Sequence, residues 1–89
     1  MNTQTRQEAL NRFKSAAGHL QAVIQMLEQD RYCIDIIKQA QAVQAALEKT
    51  NQLILADHLQ HCVTTAIRGD DSNERERVLA ELMTVYKAK

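Results

Sequence analysis

The chain contains no proline and no tryptophan, only two glycines, and three aromatic residues in all. With so few helix breakers, and with alanine, leucine, glutamine, glutamate, lysine and arginine dominating, the sequence predicts an all-α protein. Net charge is absent too, because eleven basic residues face eleven acidic ones. That balance excludes a simple polycation that coats nucleic acid, while leaving room for a local basic patch. The N-terminal stretch MNTQTRQEALNRFK is polar, and no apolar run approaches the length of a bilayer span. A soluble, cytoplasmic protein is therefore expected, in which Cys33 and Cys62 stay thiols and are free for reactive or metal-binding roles. Paired carboxylates and a nucleophile–base pair in a recognisable arrangement are missing, so an enzyme is not expected. Helix-turn-helix spacing, zinc-finger spacing and a basic zipper are missing as well. At 89 residues, with no internal repeat, the chain 1–89 reads as one domain.

What is present is helical periodicity. Leu10, Phe13, Ala17, Leu20, Ile24 and Leu27 recur at three- and four-residue spacing, predicting a first helix over residues 4–28. Gly18 falls inside that pattern and reads as a close-packing position. The segment EQDRY makes a turn, with Asp30 as a candidate cap for the next helix. From Tyr32 to about Ile67 nothing interrupts the pattern, and Ile36, Ala40, Val43, Leu47, Ile54 and Val63 mark its apolar stripe. Such a helix would be about 36 residues, or roughly 54 Å, long. Gly69 stops it, and Asp71, Ser72 or Asn73 caps a short third helix over about 73–87 carrying Val78, Leu79, Leu82, Met83, Val85 and Tyr86. The leucine and isoleucine stripes are read as core. One helix of about 25 residues and another of about 15 cannot cover the long one, so an oligomer built on the second helix is expected.

The chemistry lies in ADHLQHCV, which places His58 and Cys62 four apart on one helical face. Two ligands are too few for most metals, and the other cysteine, Cys33, lies about 37 Å back along a continuous helix. Either the helix breaks or the missing ligand belongs to a second subunit. Antiparallel pairing about a two-fold axis near residues 46–47, in the alanine-rich QAQAVQAAL, brings Cys33 of one copy opposite His58 and Cys62 of the other, twice per dimer. Two thiolates and one imidazole without an obvious fourth ligand suit Cu(I) better than a structural zinc site. Affinity should depend on pH, since binding displaces thiol protons.

The run GHLQAVIQMLEQDRYCIDIIKQAQAVQAALEKTNQLILADHLQHCV, residues 18–63, resembles the CsoR family of copper-sensing repressors. That family also holds nickel/cobalt, formaldehyde and persulfide sensors. The resemblance implies an all-α, three-helix protomer, antiparallel dimers forming a four-helix bundle, and dimers paired into homotetramers. It implies Cu(I) bound by Cys33 from one subunit and His58 and Cys62 from the other. Tyr32 and Glu81 match outer-shell residues that link the metal to the rest of the protein, and Arg12 and Lys49 match positions implicated in operator DNA binding. A histidine-free segment over the first 18 residues and a cysteine at position 62 disfavour the nickel and formaldehyde branches.

DNA affinity is then expected from phosphate contacts by Arg6, Arg12 and Lys14 of the first helix, joined by Lys49 and multiplied by assembly. The implied function is repression by the metal-free form and release on Cu(I) binding. Persulfide or redox sensing through Cys33 and Cys62 is the chief rival, and a copper-storage bundle a third reading. Blander readings stand beside these: buried thiols behaving as small apolar residues, an interface role for His58, solvated charges at Arg12 and Lys49, and structural roles for Tyr32 and Glu81. His61 points about 100° away from Cys62 and is assigned to solvent. His19 is assigned to packing or hydrogen bonding within the bundle.

Overall fold

The computed structural model describes residues 1–60 and 72–87, and among them there are three helices and no strand. They are α1 (Thr3–Glu28), α2 (Cys33–His58) and α3 (Ser72–Lys87). The chain divides into two compact units, Met1–Leu55 and Ala56–Lys89. No helix among the described residues is long and apolar enough to cross a membrane.

In the first unit α1 begins at Asn2, whose side-chain oxygen accepts a 2.7 Å hydrogen bond from the Gln4 amide and so satisfies one orphan N–H of the first turn. The helix ends in a Schellman turn. The Asp30 amide donates to the Leu27 carbonyl and the Arg31 amide to that of Met26, with Asp30 itself at φ 53°. Asp30 is thus the left-handed residue that closes α1 and does not cap α2. Asp and Asn tolerate both conformations, which is why sequence alone points either way. The first α2 bond runs from the Ile36 amide to the Tyr32 carbonyl, which puts Tyr32 at the capping position and Cys33 at the first helical residue. Asp35 in that first turn complements the helix dipole.

α1 and α2 run antiparallel: His19 meets Gln39, whereas Arg12 and Ala16, a turn or two earlier, share a groove with Ala46, Lys49 and Thr50. The buried positions repeat every seven residues, Ala9, Ala16 and Val23 on α1 and Val43 and Thr50 on α2, with Ile36 half-buried in the same series. These side chains are small. Fully burying each of the two valines contributes about 1.5–3 kcal/mol. Thr50, only 1 % exposed, donates its hydroxyl to the Ala46 carbonyl at 2.9 Å, so it enters the seam without an unmet polar group.

Two expectations are corrected here. The stripe Leu10, Phe13, Ala17, Leu20, Ile24 and Leu27 is not the protomer's core but lies exposed, as does Leu47 on α2, while Ile36, Ala40, Val43 and Ile54 do turn inward. Periodicity finds an apolar face without saying what covers it. Within the protomer Gly18 is not a close-packing position, since a Cβ there would meet nothing within 4 Å. α2 is α-helical over 26 residues, Cys33–His58, and continues as a π-helical turn at Leu59 and Gln60; its expected continuation to about Ile67 lies outside the described residues. Val63, Ile67 and the stop at Gly69 lie outside the described residues, as does the candidate cap Asp71.

In the second unit, α3 buries Val78 with Leu82 packed against it, and leaves Leu79, Met83 and Val85 exposed. Asp57, the penultimate residue of α2, is buried.

Candidate metal centre and nucleic-acid interface

The expected metal ligands sit at element ends. Cys33, a free and exposed thiol, is the first residue of α2, and the half-buried His58 is the last. Cys62 and His61 lie outside the described residues. Among the described residues no group of three or more His, Cys, Asp or Glu side chains gathers into a metal site. The donor chemistry nonetheless fits a soft cation. A reduced thiol and an imidazole, with a second thiol four residues past the imidazole in sequence, select Cu(I) or zinc over magnesium or calcium. Tyr32 precedes Cys33 in the turn and is largely exposed, and Glu81 is exposed on α3.

The candidate DNA contacts divide into two sets. Arg12 and Lys49 come together along one open groove of about 220 Å³ between α1 and α2, whose other lining residues are Ser15, Ala16, His19, Ala46 and Thr50. Helix geometry explains the gathering. Positions 12, 15, 16 and 19 share one face of α1, and 46, 49 and 50 share one face of α2. Alanines at 16 and 46 leave the space that larger residues would fill. Arg6 and Lys14 are exposed on α1 outside that lining, Lys14 about 200° round the helix from Arg12.

Arg12 is held by Glu8 one turn earlier, Nη2 to Oε1 at 2.8 Å, with both side chains about half exposed. An exposed pair of this kind contributes about 0.3–0.5 kcal/mol, little enough to be exchanged for an anion. His19 bonds through Nε2 to Oε1 of Gln39 at 2.8 Å, tying α1 to α2 as expected of it. Its place in the Arg12–Lys49 groove, like those of Ser15 and Thr50, is not read from the sequence, although Ser15 three residues and His19 seven residues past Arg12, and Thr50 four residues past Ala46, share those helix faces.

Set beside known proteins, this arrangement has a clear affiliation. A family model described as metal-sensitive transcriptional repressor matches residues 5–88. The chain belongs to that family. Its relatives include the copper-sensing transcriptional repressor CsoR of Mycobacterium ulcerans, 48 % identical over 65 residues, which are 73 % of this chain and 56 % of that protein. The chain thus spans little more than half the length of this mycobacterial relative. The copper-sensing repressor CsoR of Bacillus subtilis is 37 % identical over 86 residues, covering 97 % of this chain and 82 % of that protein. Among solved structures, the copper-sensing repressor CsoR with Cu(I) from Geobacillus thermodenitrificans superposes with a TM-score of 0.85 at 38 % identity, covering 99 % of this chain and 88 % of the other. The CsoR-like all-α fold expected from residues 18–63 is therefore the fold of the chain.

Proposed function

We propose that this protein is a Cu(I)-responsive transcriptional repressor of the cytoplasm, a single-domain, non-enzymatic sensor that holds operator DNA when metal-free and releases it on binding copper. The family match across residues 5–88 carries the reading, and the Cu(I)-bound Geobacillus neighbour supports the choice of metal. Cys33, His58 and Cys62 would hold the ion. Twenty-five residues of helix span about 37 Å, so Cys33 and His58 of one α2 cannot share a metal. The site is therefore assigned to two copies paired antiparallel, with Cys33 from one and His58 and Cys62 from the other. The exposed leucine and isoleucine face supports such pairing, and dimers then assemble to a tetramer. A bound Cu(I) would replace thiol protons by metal–sulfur bonds, making affinity fall with acidity. Tyr32 and Glu81 are proposed to relay that change, and Arg12 and Lys49, aided by Arg6 and Lys14, to contact operator phosphates.

Thermodynamic linkage fixes a consequence: if copper weakens operator binding, the operator weakens copper binding by the same factor. Anaerobic Cu(I) titration with and without operator DNA tests this, and operator affinity unchanged at saturating Cu(I) would reject it. A second reading, persulfide sensing through Cys33 and Cys62, draws on the exposed Cys33 thiol. His58→Ala separates the two. It should abolish the copper response of a copper sensor and leave a persulfide response intact.

A further inference from the structure

We infer that His19 is a proton-dependent third cation of the Arg12–Lys49 groove, so that DNA binding there takes up a proton on this imidazole; the inference rests on the assignment of that groove to DNA phosphates. His19 lines the same groove as the two permanent cations, two helical turns or about 10 Å along α1 from Arg12. Its hydrogen bond to Gln39 assigns a role to each ring nitrogen. With the Gln39 Oε1 atom, a carbonyl acceptor, turned to the ring, the matching tautomer is the one in which Nε2 carries the hydrogen of that 2.8 Å bond.

In the neutral ring Nδ1 is then a bare acceptor, which gains nothing from a phosphate oxygen. Taking a proton from solvent turns Nδ1 into an N–H donor and gives the ring a positive charge, while Nε2 keeps its bond to Gln39. A phosphate in the groove favours that charged form, because an anion nearby stabilises the imidazolium. The charged groups facing this surface are Arg12, with Glu8 behind it, on α1, and Lys49 on α2. The Glu8–Arg12 pair is internally neutralised, so an entering phosphate is the counter-charge for His19. Gln39 is neutral and holds the ring in place.

The test uses the full-length, metal-free protein and a mixed-sequence DNA duplex at low salt, where phosphate contacts dominate binding. Duplex affinity of the wild type should fall as pH is raised, at most about tenfold per pH unit for each proton taken up. His19→Gln can still donate to Gln39 but cannot charge, and should flatten that dependence at the weak-binding level. His19→Arg should flatten it at the tight-binding level. A wild-type slope unchanged in His19→Gln, with Arg12→Ala and Lys49→Ala still weakening binding, overturns the role of His19 and leaves the groove assignment standing. Binding indifferent to Arg12→Ala and Lys49→Ala overturns the groove assignment and His19 with it. Independently of any variant, nitrogen chemical shifts of the wild-type His19 ring should move toward the imidazolium pattern on adding duplex, and shifts that stay put also overturn the inference.

Discussion

The two sides of the α1–α2 hairpin differ in a way that total hydrophobicity hides. Its inner seam is made of Ala9, Ala16, Val23, Val43 and Thr50, while its outer face carries Leu10, Phe13, Leu20, Ile24, Leu27, Ile34 and Ile37. The small residues are buried and the large ones are exposed. Burial free energy scales with apolar area, so most of what this unit can gain from leaving water is not realised inside it. The seam sets how close the helices lie. The outer face keeps the larger share of apolar area exposed, and on that area rests the proposal that copies pair there with the metal site between them.

The difference can be broken most strongly on the outer face. Leu20→Glu combined with Ile24→Glu removes two large apolar contacts and inserts charge. It should weaken self-association at least about a thousandfold, seen as a fall in mass by light scattering. A variant with the wild-type mass would show that this face does not associate. On the seam, Val43→Ala should lower stability by about 1–3 kcal/mol in urea unfolding while leaving the assembled mass unchanged. Smaller effects sharpen the frame of the hairpin. Asp30→Gly relieves the left-handed residue and should raise stability by up to about 1 kcal/mol, with the change seen as a higher unfolding midpoint. Asn2→Ala should cost about 0.5–1 kcal/mol, confined to the first turn and visible as faster hydrogen exchange there.

The end of α1 and the starts of α2 and α3 were legible in the sequence because breakers are so rare that the few turn residues mark them, whereas the change from α- to π-helical geometry after His58 carries no such mark. The seam was not legible. Alanine and threonine give a weak hydrophobic signal, so the leucine stripe dominates the periodicity although it lies exposed on the hairpin. Asp30 is ambiguous in the sequence because one short polar side chain suits both a cap and a left-handed turn. Of the candidate site, residue spacing gave His58 with Cys62, and resemblance gave Arg12 and Lys49. Their shared groove follows only when α1 and α2 are placed side by side.

The seven-residue repeat of that seam has one more consequence. An unstrained α-helix repeats every 3.6 residues, so a seam kept at seven drifts about 20° per heptad and biases the two rods toward left-handed winding. The outer face then follows a shallow spiral rather than a straight edge. A mate must share that pitch to stay in contact along its length, a condition that another copy of the same hairpin meets by construction.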